Sequence, residues 1–329
     1  MIQLPNLLVL GLLGSVPADG IPGSSWSYPY PYPVNYYTFT SQRQLLSQAY
    51  MDVQPNGTAK NETIMLLHGK NFCGVTWTET INVLANAGYR VIVPDQIGFC
   101  KSSKPRSYQF TLQQLATNTK GILDSLGLKK VTLMGHSMGG MLSTRFALTY
   151  LDTVSRLILV DPLGLEDWKA LGVPYNPIDN LYPSELASNY TTIRSYEEST
   201  YYNGQWEPRY DTWVNMLVSL YDSTEGPDLA WDGALVTDMV FTQPVVYEFG
   251  LLKPPTLLVV GDKDNTAIGK QWAPPELQPK LGNYSKLGPE IAKKIPDCTY
   301  VHFADLGHAP QVQDPEKFHE AVLGWLKAH

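Results

Sequence analysis

The chain has 329 residues, 43% of them hydrophobic, and 24 basic against 31 acidic side chains give a formal net charge of −7. Such a length can bury a full α/β core together with an insertion, and scattered Lys and Arg on an acidic background leave no footprint for nucleic acid. No repeat, no phosphate-cradling loop and no cluster of metal ligands is present, so neither a cofactor nor a metal is expected.

At the amino terminus Leu7 to Leu13 is apolar but too brief to span a membrane. Val16-Pro17-Ala18 follows with small residues at alternate positions, which predicts a signal segment over 1–18, cleaved after Ala18, and a secreted protein, although no Lys or Arg precedes it. The alternative is a cytoplasmic protein whose leader continues without structure through the Pro/Tyr stretch Tyr28 to Val34. Sequons at Asn56, Asn61, Asn189 and Asn283 agree with glycosylation of a secreted chain. Only Cys73, Cys100 and Cys298 are available, which is no disulfide framework, and unpaired thiols are the expectation. Cys73 and Cys100 each follow a strand and would pair only in a secreted protein.

Tyr36 to Val53 alternates as an antiparallel lead-in hairpin would. Thr63-Ile64-Met65-Leu66-Leu67 then reads as a buried strand running into His68-Gly69-Lys70-Asn71-Phe72. The small Gly69 lets that loop approach a neighbouring backbone, and His68 reads as a brace for it. Further on, the apolar run Val131-Thr132-Leu133-Met134 meets Gly135-His136-Ser137-Met138-Gly139, followed by a helix-forming stretch from Gly140 to Leu151. A G-x-S-x-G between strand and helix is the pattern of a nucleophile elbow, in which a strained turn thrusts the serine hydroxyl out of the sheet. The glycines are needed where strand and helix crowd one another.

A serine hydroxyl needs a base, and the base needs a carboxylate to orient it. Among six histidines, His308 lies in a loop leaving the strand Tyr300-Val301-His302-Phe303 and preceding a helix opened by Asp314-Pro315-Glu316. His302 sits within that strand, His319 and His329 fall in the terminal helix, and His136 reads as packing. Three carboxylates fit the chain order Ser, Asp, His. Asp262 and Asp264 follow the strand Pro255 to Val260, and Asp161 ends the strand Arg156 to Val160. Asp264 lies further out on its turn and is preferred. The N–H groups of Met138 and of Lys70, with Asn71 next in line, are the candidates for an oxyanion hole.

These marks, with Asp95-Gln96-Ile97-Gly98-Phe99-Cys100-Lys101-Ser102-Ser103, resemble the α/β-hydrolase superfamily in its cap-bearing branch of esterases, lactonases, haloperoxidase-type enzymes and carbon–carbon bond hydrolases. The resemblance covers about residues 35 to 327. It implies an α/β-hydrolase fold, a doubly wound, mostly parallel sheet with a helical cap inserted after the sixth strand, and it implies Ser137 as nucleophile, His308 as base and Asp264 as acid. Serine at 137 argues against the haloalkane dehalogenases and epoxide hydrolases of this fold, which attack with aspartate. Cys100 departs from the glycine common at its position in relatives.

The core is expected over 19–164 and 251–329, and the cap over 165–250, where strand and helix alternation breaks down. Half of the eight tryptophans lie there, at 168, 206, 213 and 231, with nine of the twenty tyrosines. A lid so rich in amphipathic rings points to a small hydrophobic or aromatic ester as the substrate, with Tyr175, Tyr201 and Tyr202 as pocket candidates. Alternatives are a lactone, a thioester or a carbon–carbon bond in a polyketide-like metabolite, or a binding protein that keeps the fold without turnover. No nucleic acid and no membrane span is expected.

Overall fold

The structure, a computed structural model, describes residues 23–329. The signal segment expected over 1–18 lies outside the described residues.

Eight strands form one sheet: β1 (Val34–Ser41), β2 (Gln44–Val53), β3 (Thr63–Leu67), β4 (Arg90–Pro94), β5 (Val131–His136), β6 (Val154–Val160), β7 (Thr256–Gly261) and β8 (Cys298–Phe303). Their order is β1-β2-β4-β3-β5-β6-β7-β8. The lead-in hairpin is antiparallel, as is the pairing of β2 with β4, and from β4 to β8 every pairing is parallel. Gln42 and Arg43 join β1 to β2 with φ of 47° and 64°. Two left-handed residues give the turn whose twist matches that of the strands it connects.

The central strands bury both faces, and so their sequences run apolar without interruption. Side chains still alternate in direction. Met65, Leu67, Leu133, Leu157, Leu159, Leu258 and Val260 pack into one core layer. Ile64, Leu66, Met134, Ile158, Val160, Leu257 and Val259 pack into the other. The helices follow in chain order: α1 (Thr78–Asn86), α2 (Leu112–Ser125), α3 (Met138–Thr149), α4 (Ile178–Leu186), α5 (Tyr190–Thr200), α6 (Asp211–Tyr221), α7 (Gly226–Thr242), α8 (Tyr284–Ala292), the one-turn α9 (Pro310–Gln313) and α10 (Pro315–Ala328). Asp314 caps α10, its side chain accepting the Lys317 N–H at 3.1 Å with Pro315 at the first helical position.

Between β6 and β7 the chain forms α4 to α7 with no strand. Met216, Leu220, Leu229, Val236 and Val240 of this insertion join the core layer that holds Met138, Met141 and Leu142. The insertion therefore packs on the carboxyl side of the sheet, where the loops after β3, β5 and β7 emerge. Among the described residues no helix is long and apolar enough to cross a membrane.

Candidate active site

Backbone crowding at the turn after β5 explains its glycines. A Cβ on Gly135 would lie 2.1 Å from the Gly139 carbonyl oxygen, and one on Gly139 would lie 2.2 Å from that of Leu67. Ser137 between them has φ 57° and ψ −121°, a conformation that L-residues rarely adopt and that the surrounding packing must hold in place. Its N–H bonds the Val160 carbonyl at 3.1 Å, and its own carbonyl accepts from Gly140 at 2.9 Å and Leu163 at 3.1 Å.

Three of the residues expected from the sequence meet. Ser137 Oγ lies 2.9 Å from His308 Nε2, and His308 Nδ1 lies 2.6 Å from Asp264 Oδ2. The carboxylate can only accept, so the imidazole proton sits on Nδ1 and leaves Nε2 to receive the serine proton. Asp264 Oδ1 is held by the Thr266 N–H at 2.8 Å. His308 is fixed from its backbone as well, its N–H donating to the Tyr201 carbonyl at 3.0 Å. All three are buried, Ser137 being 4% exposed.

The other carboxylates and histidines fall elsewhere. Asp262 bonds the half-exposed His302 at 2.8 Å, away from His308. Asp161 lies behind Asp264 and accepts the Gly261 N–H at 2.8 Å. His319 bonds Thr80 at 2.9 Å, and burial lowers its pKa to about 4. His136 packs as expected and also donates from Nε2 to the His308 carbonyl at 2.7 Å. Burial first, then His308, keeps its pKa well below the ordinary histidine range, so it remains a neutral prop. His68 donates from Nδ1 to the Gly69 carbonyl at 2.8 Å and accepts the Gln96 N–H at 2.9 Å on Nε2, bracing the loops after β3 and β4 together.

Lys70 and Met138 flank the serine. Met138 opens α3, so its N–H has no carbonyl four residues back to bond. A Cβ on Gly69 would lie 2.9 Å from Ser137 Cβ, which measures how closely the loop carrying Lys70 approaches. The Lys70 side chain turns toward the insertion, with Nζ 2.5 Å from Glu185 Oε1, and Asn71 Nδ2 donates to Tyr201 Oη at 2.9 Å. A small pocket beside this loop is lined by Lys70, Asn71, Phe72, Leu217, Leu229 and Gly233.

Two expectations need correction. Cys73 and Cys100 form a disulfide with their Cα atoms 5.9 Å apart, whereas Cys298 is free. Parallel pairing of β3 with β4 brings out their following loops side by side, so residues 27 apart in sequence meet. Cys100 has φ 50°, which explains why glycine suits that position, and the bridge accounts for a cysteine occupying it here. Tyr175 is an exposed ring on the insertion's surface beside Phe241. Tyr202 is buried but stacks on Tyr210, 3.9 Å between centroids, inside the insertion's own aromatic cluster. Only Tyr201 reaches the site, its ring 4.7 Å from that of His308.

The profile of the alpha/beta hydrolase fold matches residues 62–201. A solved structure of a "probable hydrolytic enzyme" from Pseudomonas aeruginosa PAO1 is 56% identical, superposes with a TM-score of 0.89, and the alignment covers 90% of this chain and 95% of that one. The chain belongs to the α/β-hydrolase fold family. Lipase 1 of Psychrobacter immobilis is 29% identical over 78% of this chain and 74% of its own length. The 2-hydroxy-6-oxo-6-phenylhexa-2,4-dienoate hydrolase of Comamonas testosteroni is 24% identical over 83% and 90%. One of these relatives is named a lipase and the other a dienoate hydrolase, and hydrolysis is what the two names share.

Proposed function

We propose that the protein is a serine hydrolase that cleaves carboxylic esters of small hydrophobic or aromatic substrates through an acyl-enzyme on Ser137. The observation that carries this reading is the continuous chain from Ser137 Oγ through His308 to Asp264, at 2.9 and 2.6 Å between buried side chains. His308 Nε2 takes the hydroxyl proton as Oγ attacks the carbonyl carbon, and Asp264 stabilises the imidazolium that forms. The tetrahedral oxyanion lies toward the N–H groups of Met138 and Lys70, fixed donors of a kind that lowers a barrier by about 3–4 kcal/mol each. His308 then protonates the leaving alkoxide. Water, deprotonated in its turn by His308, releases the acid and restores the serine.

The insertion acts as the lid in this reading. Ser137 is buried, and Tyr201 of the insertion stacks on Phe72 and lies against His308, so in this reading substrate enters when the insertion moves. Leu217, Leu220, Leu229 and Phe99 beside the oxyanion loop suit an apolar acyl or alcohol group, with Asn71 and Tyr221 as polar handles. Secretion is the accompanying proposal: the Cys73–Cys100 bridge is the kind of bond that persists in oxidising compartments, and Asn56, Asn61 and Asn189 are exposed to glycan attachment. Amino-terminal sequencing and intact mass of the exported protein test it, and a chain that stays in the cytoplasm with reduced thiols rejects it.

Labelling by a fluorophosphonate probe, lost in Ser137→Ala, tests the nucleophile. A panel of acyl esters, lactones and vinylogous 1,5-diketones tests the substrate class. Turnover of the diketones with inert esters would replace the ester reading by carbon–carbon bond hydrolysis. An intact probe reaction without turnover of any of them would leave a binding protein.

A further inference from the structure

Behind the proposed triad stands a second carboxyl that the mechanism does not use. Asp161 leaves β6 just before the loop whose Leu163 N–H holds the Ser137 carbonyl. It is wholly buried and lies within hydrogen-bonding reach of Asp264. Its Oδ1 accepts the Gly261 N–H at 2.8 Å, while its Oδ2 is buried with no donor facing it. Asp264 differs in having a donor on each oxygen, Thr266 N–H at 2.8 Å and His308 Nδ1–H at 2.6 Å. Two carboxylates so close and so dry cannot both be ionised.

We propose that Asp161 is a positioning residue that keeps a proton on Oδ2 and donates it to Asp264, leaving Asp264 the charged partner of His308. The proton belongs on Asp161 because that is the carboxyl with an unserved oxygen, whereas Asp264 already receives two donors. Burial first, then the Asp264 charge, holds the Asp161 carboxyl well above the ordinary carboxylate range. The other titratable groups that face it are Asp262, Tyr284 and Tyr300, and none of these supplies a positive charge. Asp161 also has φ 38°, a left-handed backbone that Asn adopts as readily as Asp. An amide at 161 would keep the acceptor for Gly261 and present an N–H where the O–H now points.

This inference rests on the triad reading, and the experiment separates the two. Asp161→Asn, Asp161→Ala and Asp264→Asn are compared with wild type in kcat, KM and pH–rate profile on a chromogenic ester. The infrared difference spectrum of wild type minus Asp161→Asn is recorded at neutral pH without substrate. Asp161→Asn is expected to stay within about threefold of wild-type kcat with an unchanged profile. Asp161→Ala, which leaves Asp264 without that donor, should lose about tenfold or more in kcat at constant KM. The spectrum should show the carbonyl stretch of a protonated carboxylic acid belonging to residue 161. Absence of that band, an Asn variant as slow as the Ala variant, or an Ala variant as fast as wild type overturns the proposal. Should Asp161→Asn lose far more rate than Asp264→Asn, the triad reading itself falls, with Asp161 as the acid. An Ala variant that does not fold leaves the Asn kinetics and the spectrum to decide.

Discussion

Lys70 in the loop after β3 and Glu185 in α4 form an ion pair at 2.5 Å, and Tyr221 of α6 donates to the second Glu185 oxygen at 2.9 Å. Each partner is mostly buried, with 17% of its side chain exposed, so the pair is better shielded than a surface bridge. One backbone donor of the proposed oxyanion hole is thus anchored, through its own side chain, to two helices of the insertion. Asn71 adds a parallel tie to Tyr201. In the proposed mechanism, the position of the insertion and the aim of that donor are mechanically joined.

Lys70→Met and Glu185→Gln are accordingly expected to lower kcat/KM by about three- to tenfold each, with the double variant no slower than the worse single one. A double-mutant cycle on the hydrolytic rate should return a coupling of about 1 kcal/mol. Strictly additive losses would mean that the two side chains act on catalysis separately.

In the proposed triad, Asp264→Asn replaces the carboxyl that meets His308 Nδ1 at 2.6 Å while preserving shape. The amide can donate toward Nδ1 and so favours the tautomer whose Nε2 carries a proton and cannot accept one from Ser137. A loss of about 10⁴-fold in kcat is expected with little change in melting behaviour, measured by steady-state kinetics beside thermal unfolding. A loss below tenfold would remove Asp264 from the acid role.

The parts of this site that were legible in the sequence are those set by local chemistry. Glycine on both sides of Ser137, apolar runs before each loop and a helix cap at Asp314 write the elbow, the strands and the place of His308 directly into the chain. Asp264 lies further out on the turn than Asp262, and it is Asp264 that stands against His308 while Asp262 meets His302. What the chain does not display is long-range packing. Lys70 and Glu185 are 115 residues apart, and their meeting depends on how α4 docks. Tyr175, Tyr201 and Tyr202 look alike in composition, yet only Tyr201 covers His308, because α5 ends there and its carbonyl accepts the His308 N–H. The bridge between Cys73 and Cys100 depends likewise on which loops neighbouring strands bring together.

That bridge closes a loop across a sequence separation of 27 and should stabilise the fold by about 2–4 kcal/mol through the unfolded chain. Asp95 ties the same two loops independently, its Oδ1 accepting the Gly74 N–H at 2.7 Å and its Oδ2 the Lys101 N–H at 3.0 Å. The double variant Cys73→Ser, Cys100→Ser should therefore unfold at a clearly lower urea concentration while keeping its activity at low temperature within a few-fold. Loss of activity with the urea midpoint unchanged would assign the disulfide to the site instead of the fold.

Glu197 on α5 is fully buried, with no hydrogen-bond partner on either carboxyl oxygen, and burial raises its pKa to about 8. A folded-state pKa above the unfolded value means that the native state binds the extra proton between about pH 4.5 and pH 8. Its contribution to stability is complete below the lower value and is lost as pH rises through the upper one. Buried Asp232, raised to about 8 by burial, acts in the same direction. Glu197→Gln abolishes one of these titrations, so the stability difference between variant and wild type should move in the variant's favour across that window and level off above it. The expected slope is at most about 1.4 kcal/mol per pH unit, read from urea midpoints at several pH values. The offset between the proteins carries less meaning, because the new amide also lacks partners. A difference independent of pH would show that Glu197 is already ionised in the native protein, with water or a cation reaching it.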